Sequence, residues 1–276
     1  MDHTRRRCLI APCALLGGGL CAGSAQAAGA GELPAPATAN TMTPAVVAGG
    51  APALALPALE NLVLHYAGYL VTGAGAAPIA SARLSVSVAD QRYRISLSVD
   101  SFLADLVYSS EGRVDASGLH PELYSEARKI PFRSRRVRSV RLRETDDPAR
   151  AGHAADDVLW VPPGTQDRVS LLFQYTLLAR ADRDVLRAGA ERSIPFARVS
   201  DVTPSRWVAG PAERVRALDA DEPFEGPFAH RVARVADAQA TVDVAFWLWA
   251  GERHLPLILQ FTEKERSLRF VATAIA

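Results

Sequence analysis

The sequence predicts a mainly β (α+β) fold: a curled antiparallel sheet or partly open β-barrel, with one helix packed against its concave face. Three observations predict it. Short runs in which apolar and polar residues alternate recur along the chain from about Leu59 onward. The first clear pair of such runs is joined by a connector of only a few residues, which makes a hairpin and not a βαβ crossover. One segment, Val169–Arg180, is instead apolar almost all round, the pattern of a buried helix.

The first 27 residues read as a secretory signal peptide. Arg5, Arg6 and Arg7 precede an apolar run from Cys8 to Cys21, and Ser24-Ala25-Gln26-Ala27 supplies an Ala-x-Ala type cleavage site. The run is too short to span a bilayer, which takes about 20 residues per helix. Thr4-Arg5-Arg6 also fits the twin-arginine export route; an ordinary positive n-region is the simpler reading. Gly18-Gly19-Leu20 before Cys21 runs against the order of a lipid-attachment signal. Cleavage after Ala27 places the working chain in the periplasm and removes Cys8, Cys13 and Cys21, its three cysteines. A disulfide or thiolate site is then excluded, and stability must come from burial.

Residues 28–57 are rich in Ala, Gly and Pro and almost uncharged, with Pro34, Pro36, Pro44, Pro52 and Pro57 opposing helix. They read as a disordered linker before a single β-rich domain over 58–276. In that domain Leu62–Val71 is the first strand candidate, and Gly73 to Pro78 reads as a turn. Leu84, Val86 and Val88 then alternate with serines. Tyr93, Ile95, Leu97 and Val99 follow after Ala89-Asp90-Gln91. Later strand candidates are Leu106–Tyr108, Arg136–Arg143, Phe196–Val202, Arg206–Ala209, Arg214–Leu218, His230–Val235, Val242–Ala250, Leu255–Phe261 and Leu268–Ala274. Many short strands favour a curled sheet or barrel. Asp167 is placed to cap the helix by accepting from its first free amides.

The chain carries 31 basic and 30 acidic side chains, so no global field points to nucleic acid or another polyanion. Locally the balance differs. Arg133, Arg135, Arg136, Arg138, Arg141 and Arg143 fall within eleven residues. On a strand, Arg136 and Arg138 share one parity and the others share the opposite one. Guanidinium groups grip phosphate or carboxylate at two points. The competing reading is a solvated strand whose arginines pair with Glu122, Glu126, Glu144, Asp146 and Asp147 and discourage edge pairing.

The stretch before those arginines joins several others in a pattern. It comprises Tyr66-Ala67-Gly68 with Gly73, a Ser110-x-Gly112 turn, Gly118-Leu119-x-Pro121 with Tyr124, Glu126 and Arg128, Pro163 to Ser170, and Trp247-Leu248-Trp249 followed by Leu255-Pro256. In order and spacing this resembles the domain of unknown function 3108 family of exported proteins of Gram-negative bacteria. The resemblance spans nearly all of the chain from Leu59; the polar insertion Glu144–Asp157 departs from it. It implies a periplasmic β-rich domain similar in shape to the half-barrels that carry lipoproteins across the periplasm. It implies no reaction.

Catalytic motifs are lacking. There is no Gly-x-Ser-x-Gly elbow, no phosphate-cradling glycine loop and no histidine pair at helical spacing for a metal. No cofactor is expected. His120, Glu122 and Glu126 could serve a hydrolase if they converged, although a turn bearing them for surface hydrogen bonds is the simpler reading. The expected function is therefore non-catalytic: a concave sheet receiving a hydrophobic or amphiphilic anionic envelope molecule. Tyr66, Phe173, Trp247 and Trp249 would line the cavity, and Arg136, Arg138 and Arg141 would meet the anionic head. The alternative is a structural module that contacts another envelope protein through the arginine strand, with its concave face filled by its own side chains. Trp247 and Trp249 share one side of a strand, opposite Phe246 and Leu248, and packing in the core is the simpler reading of them. N-terminal sequencing of the protein recovered from a periplasmic extract is expected to start at Ala28; an intact Met1 would contradict export with cleavage.

Overall fold

The computed structural model describes residues 58–73, 75–215, 227–235, 243–251, 253–263 and 265–276. The signal peptide and linker expected over 1–27 and 28–57 lie outside these residues, as does most of the strand candidate Arg214–Leu218. Six strands open the chain: β1 (Leu62–Thr72), β2 (Gly75–Ala89), β3 (Arg92–Ser101), β4 (Asp105–Asp115), β5 (Gly118–Lys129) and β6 (Arg136–Glu144). Each is antiparallel to the next. After a short β7 (Ala154–Ala155), β8 (Val158–Val161) lies parallel to β6. Helix α1 (Ser170–Ala181) and a 3-10 turn follow, then β9 (Glu191–Ser193), β10 (Phe196–Ala197) and β11 (Val202–Thr203). A second meander closes the chain: β12 (Arg206–Arg214), β13 (Phe228–Arg234), β14 (Asp243–Trp249), β15 (Pro256–Glu263) and β16 (Arg266–Ile275). The two meanders join where β1 pairs with β16. The result is one 14-stranded sheet ordered β7-β8-β6-β5-β4-β3-β2-β1-β16-β15-β14-β13-β12-β9. Its edges, β7 and β9, do not pair, so the sheet stays open; β10 and β11 form a separate two-stranded sheet.

Alternation in the sequence becomes alternation in burial. Along β3, Tyr93, Ile95, Leu97 and Val99 are buried while Arg92, Arg94, Ser98 and Asp100 face solvent. Asp90 and Gln91, which join β2 to β3, have φ of 51° and 60°. Two successive positive φ values give the turn whose twist matches that of paired strands.

Three turn expectations give way to strands. Ser110–Gly112 lies within β4, and Gly118–Arg128 is most of β5. Serine, glycine, proline and glutamate read as turn formers, but here each meets a local need. Ser110 is fully buried on the concave face. Pro121 pairs with Gly112 at a register shift, where an ideal Cβ on Gly112 would stand 2.0 Å from the His120 carbonyl oxygen. Only glycine permits that approach. The expected turn Gly73 to Pro78 is also tighter, because Gly75 to Pro78 already pair with β1.

Flat, a sheet of this order would set its edges about 60 Å apart. Yet one core cluster contains Leu159 of β8, Tyr124 of β5, Ile95 of β3, Leu64 of β1, Phe246 of β14 and Trp207 of β12. The sheet must curl for those side chains to share an interior. Helix α1 is what they surround: Leu171, Leu172, Phe173, Tyr175, Leu177 and Ala179 are all buried. Tyr175 meets Phe246 edge-on at 5.4 Å between ring centroids, and Trp207 packs on Phe246 at 5.9 Å. Such tilted and edge-on pairs are the favoured aromatic geometry. The helix thus sits in the concave face as expected, with its apolar side chains buried there.

A second, smaller cluster covers part of the convex side, with Tyr69, Trp247, Leu257, Ile258 and Val271. Among the described residues no helix is long and apolar enough to cross a membrane. Because Phe173 is fully buried at the centre of the fold, Phe173→Ala is expected to cost about 3–5 kcal/mol in denaturant titration.

Candidate functional site

The start of α1 is tied to the β4–β5 hairpin by buried polar groups. The Asp167 carbonyl accepts from Leu171 N–H at 3.1 Å, in the turn that leads into the helix through its N-cap, Val169. Asp167 Oδ1 accepts from the amides of Val169 and Ser170, each at 3.0 Å, and Asp167 N–H donates to Ser170 Oγ at 2.9 Å. This is a reciprocal cap with serine in the place usual for glutamate. Asp167 Oδ2 takes the Ser110 hydroxyl at 2.5 Å, and Tyr93 Oη lies 3.0 Å from Ser110 Oγ. Two glutamines complete the joint. Leu119 N–H donates to Gln174 Oε1, and Gln166 Nε2 donates to the Leu119 carbonyl, each at 2.8 Å. Gly118 (φ 127°) makes room, since a Cβ there would stand 2.3 Å from Gln174 Oε1.

An acid, a serine and a tyrosine in line resemble a catalytic relay, but Asp167, Ser110 and Tyr93 are sealed in the interior. Burial pushes the Asp167 carboxyl up to about 6, against the hydrogen bonds from Ser110, Ser170 and Val169 that pull it down. Burial first, and the Asp167 charge second, raise Tyr93 well above the ordinary tyrosine range. The chemistry served is capping and hairpin anchoring.

A solvent-facing cleft lies on the other side of the same hairpin. It has a volume of about 550 Å³, and its lining includes Arg113, His120, Glu122, Arg141, Arg143 and Trp160. Strand register explains the gathering: Arg113 faces His120, Leu123 faces Arg141, and Arg143 faces Trp160. Glu122 accepts from Arg92 at 2.6 Å and Arg113 at 2.8 Å. Partial burial pushes its carboxyl up, but the two guanidinium groups outweigh that and leave it lowered. His120 Nε2 lies 2.9 Å from Ser117 Oγ, and its Nδ1 lies 3.4 Å from Glu144. Trp160 carries the Arg150 guanidinium over its ring at 4.0 Å. The side chains of Arg141 and Arg143 make no ion pair or hydrogen bond with a described residue. Of the carboxylates expected to neutralise the arginine strand, Glu122 is engaged with Arg92 and Arg113, Glu126 with the Tyr124 hydroxyl at 2.8 Å, and Glu144, which also lines the cleft, with His120.

The structure separates residues that the sequence reading grouped. Arg136 and Arg138 share the concave side of β6 with buried Val140, whereas Arg141 and Arg143 stand on the convex side. No single anionic head can meet Arg136, Arg138 and Arg141 together. On the concave side, Arg138 lies opposite Glu126 and Arg136 opposite Arg128. Arg168 stacks over Tyr108 nearby at 4.6 Å. Burial opposes the charge of Arg168, but Tyr108, Tyr124 and Glu126 more than offset it and hold its pKa high. Tyr66 and Phe173 belong to the buried core, and the Tyr66 hydroxyl donates to the Pro256 carbonyl at 2.7 Å. Trp247 and Trp249 lie in the convex cluster, Trp247 between Arg231 and Arg269 with its indole N–H donated to Glu213. The four aromatic residues therefore do not line one cavity.

Of the suggested hydrolase residues, His120 and Glu122 share the cleft, while Glu126 sits by Tyr124 on the opposite face. They do not converge. Among the described residues no three of His, Cys, Asp or Glu gather as metal ligands. Arg113 and Trp160 were missed from the sequence, and Arg143 was placed in the arginine cluster but not among the residues expected to meet the anionic head. Asp115-Ala116-Ser117-Gly118, read as the hairpin turn it is, would have placed Arg113 opposite His120.

No family model matches the chain, so the motif resemblance to the domain of unknown function 3108 family draws no support from that comparison. No curated protein matches it either. Among solved structures, the chain is similar to a β-barrel-like protein of the domain of unknown function DUF1849 from Brucella abortus. The identity is 11% and the TM-score 0.44, over 79% of this chain and 97% of that one.

The Asp167 carboxyl has a folded pKa of about 6, above its value in an unfolded chain. The folded state therefore holds more protons between about pH 4 and 6. The contribution of this group is fully present below about pH 4 and is lost as pH rises through about 6. The stability of the parent relative to Asp167→Asn, measured by thermal melts, is expected to fall across that window by up to about 3 kcal/mol. A flat difference would sink the assignment.

Proposed function

We propose that this protein is a non-catalytic binding domain of the periplasm that takes the anionic group of an envelope molecule in the cleft between β5, β6 and β8. The observation that carries the reading is the pair of guanidinium groups, Arg141 and Arg143, engaged by no described residue, at the wall of a cleft of about 550 Å³. That volume is in the usual range of ligand sites, roughly 300–1,000 Å³. Paired guanidinium groups match the geometry of a phosphate or carboxylate. Arg113 adds a third positive charge, which Glu122 shares with Arg92. Support for a non-catalytic role comes from the burial of Ser110 and Asp167 and from the separation of Glu126 from His120 and Glu122. Because the cleft is on the convex side and α1 is buried in the concave face, an apolar tail on such a ligand would lie against the outer surface.

The packing of α1 into the core also favours a second reading, a scaffolding module whose arginine strand contacts an envelope protein. The two are separated by titration calorimetry with glycerol 1-phosphate as the probe. Binding that weakens at least roughly tenfold in Arg141→Glu with Arg143→Glu supports the anion site. No heat from the parent, together with a protein partner captured by the parent and lost in the same variant, supports the scaffold.

A further inference from the structure

One end of the sheet presents apolar side chains to solvent where the fold has no use for them. The turn between β3 and β4 carries Phe102, 66% exposed, and the turn between β5 and β6 carries Phe132, 107% exposed. The turns are neighbours, because Asp105 and Lys129, which flank them, are cross-strand partners. Each ring is held out by its own turn. The Ser101 hydroxyl donates to the Ala104 carbonyl at 2.8 Å and accepts from the Ala104 amide at 3.1 Å, closing a loop with Phe102 at its tip. Arg133 N–H donates to the Ile130 carbonyl at 3.0 Å, and Phe132 inside that turn has φ 63°. A left-handed backbone is uncommon for a bulky aromatic residue, and such outliers persist where the surroundings enforce them. Val137, 60% exposed, extends the apolar edge onto β6.

Charge surrounds these rings on one side of the balance. The two turns and their flanks hold Lys129, Arg133, Arg135 and Arg136 against Asp100 and Asp105. Lys129, Arg133, Arg135 and Arg136 are all exposed. Long basic side chains beside protruding aromatic residues suit the boundary of an anionic bilayer, where rings enter the headgroup region and cations meet lipid phosphates. A protein partner would be expected to cover a flatter area, about 800 Å² per side, than two convex tips provide.

We infer that this end of the sheet docks on a membrane surface bearing anionic phospholipid, with Phe102 and Phe132 inserted and Lys129, Arg133 and Arg135 on lipid phosphates. This goes beyond the cleft reading and does not depend on it, since Arg141 and Arg143 are not involved.

The test uses the full chain with vesicles of mixed phosphatidylglycerol and phosphatidylcholine, and with phosphatidylcholine vesicles alone. Peptide-resolved hydrogen exchange is expected to slow over residues 101–105 and 130–138 with the mixed vesicles only. That readout is local, so binding through any other segment cannot imitate it. Co-sedimentation is expected to weaken at least roughly tenfold in Phe102→Ser with Phe132→Ser, and likewise in Arg133→Glu with Arg135→Glu. Melting temperature and glycerol 1-phosphate binding should match the parent in both variants, which separates failure here from failure of the cleft reading. Unslowed exchange in the two turns, equal slowing with phosphatidylcholine alone, or variants that sediment like the parent would each overturn the docking. Capture of a protein by these tips with no vesicle binding would overturn it as well.

Discussion

The joint between the first turn of α1 and the β4–β5 hairpin governs the rest of the molecule. A helix with apolar residues almost all round must be enclosed, and a 14-stranded open sheet must curl to enclose it. Apolar packing has little directional preference. Direction comes from polar groups. Asp167 caps the helix, holds Ser110, and is flanked by Gln166 and Gln174 on the two sides of Leu119. Together they fix which way the helix enters the curl and at what height. Gly118 and Gly112 are small because helix and neighbouring strand must approach closely there.

Burying a carboxyl this deeply is costly unless its hydrogen bonds are made. Its two oxygens accept from the Ser110 hydroxyl and the Val169 and Ser170 amides. The network thus trades desolvation for a defined docking geometry. An apolar replacement at the helix start would leave its first amides without partners and lose the link to the sheet.

The burial of α1 in the concave face shifts interest to the convex face and the strand ends. Strand β6 makes this concrete. Its period of two sends Arg136 and Arg138 to one side and Arg141 and Arg143 to the other. The first pair lies near Arg128, Arg168 and Glu126 at the rim of the curl, and the second lines the cleft with Arg113 and His120. One arginine-rich stretch therefore serves two surfaces. Neither pair is needed by the core, since only Val140 and Leu142 of that strand are buried.

Much of the fold was legible in the chain. The alternation in β2, β3 and β16, the buried character of α1 and the cap at Asp167 are local properties, set by periodicity and by the orphan amides of a helix start. They follow from residues a few positions apart. The β4–β5 hairpin was less legible, because its serine, glycine and proline have meaning only against distant partners: Ser110 against Asp167, Gly118 against Gln174, and Gly112 against the β5 backbone. The site was least legible. Composition showed that arginines cluster at 133–143 but not which carboxylates lie within reach. That depends on register, which brings Arg92 and Arg113 to Glu122 and leaves Arg141 and Arg143 without side-chain partners among the described residues. It also depends on curvature, which puts Phe173 and Trp247 on opposite sides of the same sheet. Sequence alone determined the kind of element, and the face it would bury, where the periodicity is local, as in β2, β3, β16 and α1. Tertiary structure decided which faces meet, because pairing and curling act between residues that the chain itself holds far apart.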